Sequence, residues 1–339
     1  MYSHHPQGKL EAAKKLPSNP QATPEVRFDG QTVIITGAGA GLGRAYALMY
    51  AKLGANVVIN DVSEKGAAGV VDEITKAGGK AAAAVCSAED GEKIVAVALE
   101  KFGGVHILIA NAGILRDKSF QSMSKAEWDA VIAVHLRGTY KCAKAVWPIF
   151  QKQKYGRIVN TCSQVGICEC KQSYSGKTYT HRNLTDGNFG QANYSTAKAA
   201  IIGLTKTLAI EGKKYGIIAN VIAPSAGTAM TSTVWPQEMV DAFKPDFVAP
   251  VVGYLTSKDN TETSGCIFEI AGGWAAQTRW QRTAGHGFPH DSVYTPEDVV
   301  AKWKDITTFD SRSTHPVGSN ETMEHVMANF NNRAVKAKL

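Results

Sequence analysis

Thr32-Val33-Ile34-Ile35-Thr36-Gly37-Ala38-Gly39-Ala40-Gly41-Leu42-Gly43 opens the structured part of the chain. Its first five residues are β-branched and apolar, the pattern of a strand buried on both faces. Glycines follow at 37, 39, 41 and 43, and residues 45–53 then predict a helix, with Gly54 where a C-terminal cap belongs. In a strand–turn–helix of this kind, N–H groups at the helix start can face the phosphates of a dinucleotide. Glycine lets the backbone turn tightly and approach those phosphates without a Cβ. A glycine-rich turn alone would say little; between a strand and a helix, a nucleotide site is a better reading than a plain turn.

The same rhythm continues outward. Residues 57–59 predict a strand, 64–76 a helix, 81–85 a strand, and 89–102 a helix closed by Gly103-Gly104. A strand at 105–109, one long helical region at 125–153, a strand at 157–160, a helix at 194–215 and a strand at 217–222 follow. Strands separated by helices predict an α/β protein: a Rossmann-type doubly wound parallel sheet with helices on both faces. Residues 1–26, with Pro6, Pro17, Pro20 and Pro24, predict a flexible arm. Residues 27–280 form the predicted dinucleotide-binding domain, and 281–339 a C-terminal extension with one helix near 296–303.

Composition excludes several classes. The longest apolar runs are too short to span a bilayer, and residues 1–24 lack the apolar stretch of a signal peptide. The net charge of +7 has no basic block behind it, which argues against nucleic acid. It suits a polyanionic ligand such as a nucleotide or a coenzyme A thioester, or else is a generally solvated positive surface. Cys86, Cys142, Cys162, Cys168, Cys170 and Cys266 are scattered, and the Cys168–Cys170 spacing is not one that zinc uses. Free thiols in a reducing compartment, and no metal, are expected.

Asp61 ends the second predicted strand, where a carboxylate can accept from both ribose hydroxyls and repel a 2′-phosphate. NAD is thereby favoured over NADP, unless Asp61 is simply a turn residue. Tyr194 and Lys198 stand four apart and share one helix face. An ammonium beside a phenol stabilises the phenolate and makes a proton acceptor of it. Tyr140 and Lys144 have the same spacing and carry no such context. Ser163, after the strand at 157–160, falls at the carboxyl edge where open parallel sheets bind ligands.

The glycine loop, Asn111-Ala112-Gly113, Ser163 and Tyr194-x-x-x-Lys198 together resemble the short-chain dehydrogenase/reductase family over residues 28–276. Within it, Gly41-Leu42-Gly43-Arg44, Ile114-Leu115-Arg116-Asp117, Val134-His135-Leu136-Arg137 and Asn188-Phe189-Gly190-Gln191-Ala192-Asn193 are similar to the (3R)-hydroxyacyl-CoA dehydrogenase units of the fungal peroxisomal multifunctional enzyme. The resemblance implies NAD-dependent oxidation of (3R)-3-hydroxyacyl-CoA in fatty-acid β-oxidation. It implies that Ser163 binds the substrate oxygen, Tyr194 takes the proton, and Lys198 holds the nicotinamide ribose and tunes Tyr194. Gly37, Gly41, Leu42, Gly43, Asp61, Asn111, Ala112 and Gly113 would bind the cofactor. His135 stands where the wider family has a relay asparagine, and is either a relay imidazole or a packed one. Cys86 replaces an adenine-contacting aspartate. A homodimer and an acyl-CoA ligand are implied as well.

Ser163 and Tyr194 are much further apart than the resemblance implies, and the excess is the polar, patternless stretch 168–186. Where it starts, Cys168-Glu169-Cys170 can be encoded with a GTGAGT splice donor; where it ends, Thr185-Asp186 can be encoded with an AG acceptor. Joining the two restores one Tyr codon in frame. The stretch therefore reads as a translated intron or as a surface loop, which costs little closure entropy. The chain as written is expected to be less active than one carrying Tyr in its place. Ala337-Lys338-Leu339 fits a peroxisomal address read by an import receptor, and so predicts the peroxisomal matrix. The other readings are a reductase of carrier-protein thioesters or small ketones, and a cofactor-binding chain that the insertion has inactivated.

Overall fold

The computed structural model describes residues 25–167, 173–174, 177–178, 188–232, 235–318 and 320–333. Most of the predicted arm, most of the 168–186 stretch and Ala337-Lys338-Leu339 lie outside the described residues.

The decisive stretch folds as its pattern predicts. β1 (Thr32–Thr36) is buried at every position. It pairs in parallel with β2 (Asn56–Asp61) on one side and β4 (Ile107–Ala110) on the other. Alternation along β1 divides the core between the sheet's two faces. Val33 and Ile35 join Phe28, Tyr46 and Tyr50 on the face covered by α1 (Gly41–Lys52) and α2 (Glu64–Lys76). Ile34 points the other way, to Val58, Leu108, Val146 and Phe150 under α3 (Gly91–Phe102) and α5 (Gly138–Gln153). Each such fully buried aliphatic side chain contributes about 1.5–3 kcal/mol relative to exposure.

The remaining ladder is β3 (Lys80–Val85), β5 (Gly156–Thr161), the short antiparallel pair β6 (Ser173–Tyr174) and β7 (Lys177–Thr178), β8 (Ile217–Ser225), β9 (Ile267–Ala271) and β10 (Trp274–Thr278). The large sheet runs β10-β9-β8-β5-β4-β1-β2-β3. It is parallel except for β10, which is antiparallel to β9, so the sheet is not parallel throughout. The turn between them is Gly272-Gly273, both left-handed at φ 52° and 84°, the geometry of a two-residue hairpin.

Several helical boundaries depart from expectation, α3 among them, which begins at Gly91 rather than 89. α1 starts at Gly41 rather than 45, because the loop glycines themselves form its first turn. The region predicted as one helix over 125–153 is α4 (Lys125–Ile132), a π-helical turn at Ala133–Arg137, and α5. α6 (Ala192–Gly212) begins two residues before Tyr194. Between β8 and β9 lie α7 (Gln237–Ala242) and α8 (Ala249–Thr256), which the periodicity did not reveal. The extension carries α9 (Pro296–Thr307), started by a Thr295–Asp298 capping box, and a further helix, α10 (Asn320–Asn329).

Candidate active site

The loops after β1 and β4 leave the sheet's carboxyl edge in opposite directions, making the crevice in which doubly wound sheets bind ligands. Thr36 ties its two walls together. Its hydroxyl accepts the N–H groups of Asn111 and Ala112, both at 3.0 Å. Asn111 Nδ2 in turn donates to the carbonyls of Thr36 (3.0 Å) and Gly37 (3.3 Å). Two of the loop glycines are sterically required. A Cβ on Gly43 would stand 2.2 Å from the Gly37 carbonyl oxygen, and one on Gly37 2.8 Å from Ala112 Cα.

These residues fit a dinucleotide. α1 begins with no side-chain cap and no acidic residue in its first turn, the bare N-terminus that suits phosphate. Leu42 packs toward the core, so only its backbone faces the crevice. Asp61 is held by two backbone donors, Gly39 N–H on Oδ2 and Ser63 N–H on Oδ1, each at 2.9 Å. These bonds hold its carboxylate beside the loop, and the one from Ser63, two residues on, is also that of an Asx-turn. Arg44, the nearest cation in sequence, is held by Glu73 as a bidentate pair.

On the other side of the crevice, β5 delivers Ser163 and α6 delivers Tyr194 and Lys198. The Ser163 hydroxyl lies close enough to the Tyr194 phenol to act on its ionisation, with residues 168–186 present in the chain. Lys198 is 3% exposed and donates from Nζ to the Thr161 carbonyl at 2.7 Å. The same Nζ lies 5.5 Å from the Tyr194 ring centroid. Burial pushes the Tyr194 phenol up to about 12, a rise that the nearby Ser163 opposes. Burial also pulls Lys198 down to about 8. Sequence logic expects the ammonium to lower the phenol; in the folded chain burial is the largest influence and raises it.

His135 sits in the π-helical turn and meets the Tyr194 ring edge to face, centroids 5.0 Å apart. Nε2 lies between the N–H and the carbonyl of Ile114, at 2.9 and 2.8 Å, and pairs with one of them at a time. Nδ1 is buried without a hydrogen-bond partner among the described residues. Burial first, then the Lys198 charge, pushes the imidazole down to about 3. The imidazole is thus packed against the tyrosine ring in its neutral form, which still has one nitrogen to donate and one to accept a proton. Gly113 makes room for it, since a Cβ there would stand 2.5 Å from His135 Cε1. Cys86 follows β3, its thiol 3.7 Å from Asn60 Nδ2 and pushed up by burial.

Sequence reasoning missed Thr228, whose methyl would stand 3.2 Å from a Cβ at Gly41, bringing the loop after β8 over the glycine turn. Pro224 and Gly227 at the end of that strand were the available signal. Asn193 and Gln191, just before Tyr194, were missed too.

The profile of the short chain dehydrogenase family matches residues 31–179 and 183–239. The chain belongs to that family. It is 50% identical over 330 residues to the peroxisomal hydratase-dehydrogenase-epimerase of Neurospora crassa, covering 97% of this chain and 35% of that protein. The structure of full-length peroxisomal multifunctional enzyme type 2 from Drosophila melanogaster matches with TM-score 0.74 and 38% identity, over 90% of this chain and 50% of that one. A short chain dehydrogenase from Mycobacterium avium matches with TM-score 0.69 and 36% identity, over 86% of this chain and 98% of that one. This chain therefore spans about a third of the Neurospora protein and half of the fly chain. Among the described residues no three His, Cys, Asp or Glu side chains group to hold a metal, and no helix is long and apolar enough to cross a membrane.

Proposed function

We propose that this chain oxidises (3R)-3-hydroxyacyl-CoA to the 3-ketoacyl thioester with NAD, as a step of peroxisomal β-oxidation. The observation that carries the chemistry is the buried Lys198 ammonium 5.5 Å from the Tyr194 ring, with Ser163 near enough to act on the phenol, at the carboxyl edge that also bears the glycine loop. The substrate class follows from the likeness to the hydratase-dehydrogenase-epimerase, and the compartment is the peroxisome, as the names of its relatives have it. Asp61, fixed by two N–H donors beside the loop, supports NAD over NADP.

Bound NAD supplies the hydride acceptor. Gly37, Gly41, Leu42 and Gly43 hold its phosphates by backbone N–H groups, Asp61 its adenosine ribose, and Asn111-Ala112-Gly113 the wall beyond. Ser163 Oγ hydrogen-bonds the substrate oxygen. Tyr194 Oη accepts the hydroxyl proton, and Lys198 Nζ supplies the nearby positive charge that favours the phenolate. His135 keeps the tyrosine ring in place. Because the phenol is held well above neutrality and Lys198 loses its charge near 8, kcat for alcohol oxidation rises with pH between 6 and 8. A flat pH–rate profile over that range would contradict this account.

The +7 charge suits a polyphosphate ligand such as coenzyme A. We further propose a homodimer, and recognition of Ala337-Lys338-Leu339 by a peroxisomal import receptor. The deciding experiment follows NADH formation from (3R)- and (3S)-hydroxyacyl-CoA with NAD and with NADP. Turnover of the 3R thioester with NAD is expected. Preference for the 3S substrate, or for NADP, would replace this function with that of another reductase of the family.

A further inference from the structure

Across the mouth of the crevice, the chain after β4 is tied to the chain before Tyr194 by side chains that the proton transfer does not use. Asn193 is fully buried, and its amide is spent on the tie. Nδ2 donates to the Arg116 carbonyl at 3.1 Å and the Glu127 carbonyl at 3.2 Å, while Oδ1 accepts the Tyr194 N–H at 2.7 Å. Beside it, Lys118 N–H donates to the Gly190 carbonyl at 2.9 Å. Gln191 Nε2 donates to the Asp117 carboxylate at 2.8 Å, and Asn188 Nδ2 to Gln191 Oε1 at 3.0 Å.

These bonds run to residues 116–118 and to α4. Ser163, by contrast, is delivered by β5. α6 starts with no side-chain cap on Gln191, so the Asn193 side chain occupies the backbone N–H of the catalytic tyrosine itself. We propose that Asn193 is a positioning residue for Tyr194: an amide tie that fixes the phenol against Ser163 from the β4–α4 side, whatever chain runs between Ile167 and Asn188. The inference rests on the assignment of Tyr194 as the proton acceptor. Only an amide meets the geometry, because the two carbonyls need two donors and the tyrosine N–H needs one acceptor. Asp117 holds the neighbouring bridge through Gln191 and serves the same placement.

The variants are Asn193→Ala, Asp117→Ala and Asp117→Asn in the full chain. A displacement of about 1 Å at a reacting group costs on the order of a hundredfold in rate. Asn193→Ala is therefore expected to lower kcat at least tenfold, while NADH affinity, read by fluorescence, stays near that of the parent. Asp117→Ala lowers kcat less, and Asp117→Asn, whose amide oxygen still accepts from Gln191, recovers most of that loss. An unchanged kcat in Asn193→Ala overturns the proposal. So does a fall in kcat matched by an equal loss of NADH binding, since that is general collapse rather than misplacement.

A second readout is independent of the substrate. With 3-fluorotyrosine incorporated and the Tyr194 signal assigned through Tyr194→Phe, one narrow fluorine line is expected in the parent and a shifted or doubled line in Asn193→Ala. If the parent turns over no hydroxyacyl-CoA, the proposed function fails, and the fluorine line alone decides on the tie. An unchanged line overturns it.

Discussion

His135 shows how far burial rewrites a residue's chemistry. In sequence it is a titratable group near neutrality; in the folded chain it is 1% exposed and held neutral down to about pH 3. The folded value lies below the unfolded one, so between pH 3 and 6.5 the unfolded chain binds the extra proton. Stability from this site is complete above 6.5 and is lost as pH falls through that window. One proton's linkage amounts to about 2 kcal/mol between pH 6.5 and 5. His135→Asn should remove that contribution: in urea denaturation at pH 7 and pH 5, the variant loses less stability than the parent on acidification. Equal losses would mean that His135 is hydrated and ordinary. The loop asparagine, Asn111, and Thr36 show the opposite case, in which the sequence motif and the observed bonds agree.

At the scale of elements, the glycine loop and α1 act as one unit, and the four loop glycines are not equivalent. Gly43 packs against the Gly37 carbonyl with no room for a Cβ. Gly43→Ala should therefore weaken NADH binding at least tenfold and lower the melting temperature, because the obstruction is backbone and must move. Gly69, in the interior of α2, has nothing within 4 Å of a Cβ. Gly69→Ala should add about 0.5–1 kcal/mol through helix propensity alone. Measuring both by thermal unfolding and NADH fluorescence separates packing from propensity; two similar variants would refute the distinction. Neither the β9–β10 hairpin, although Gly272-Gly273 marks its turn, nor the π-helical turn under His135 was read from the sequence. Its extra residue leaves the apolar pattern over 125–153 helical, and only packing against α6 and the Ile114 backbone reveals it.

Over the whole molecule, all three core clusters lie between Phe28 and Ile270. Among the described residues beyond 280 none is buried; the Arg282–Thr314 bridge lies within the extension, and the bond between His315 and the Trp280 carbonyl joins it to the domain. A chain ending at Trp280 should keep its helix and sheet content by circular dichroism, with a melting shift below about 4 °C. Non-cooperative melting would show that the extension is part of the core. The 168–186 stretch is tested by replacing it with Tyr. Since Ser163 already lies close enough to act on the Tyr194 phenol with the stretch present, and both its flanks leave from the edge proposed as the active site, the shorter chain should gain through a lower KM for the thioester rather than a higher kcat. A gain confined to kcat would mean that the stretch displaces the catalytic pair after all.

The sequence by itself determined the parallel strands β1 to β5 and β8, the glycine loop, and the positions proposed for Asp61, Ser163, Tyr194 and Lys198. Those features are written in strand and helix periods, in residues that only glycine can replace, and in spacings along one helix, all local to the chain. Tertiary structure alone decided the protonation of Tyr194 and His135, the tie through Asn193, the pairing of Arg44 with Glu73 and the approach of Thr228 to the glycine loop. Each of these depends on desolvation or on contacts between distant segments. Asn193 lies 77 positions from Arg116 and 66 from Glu127, and burial is a property of everything packed around a group. Neither is carried by the residues near it in sequence.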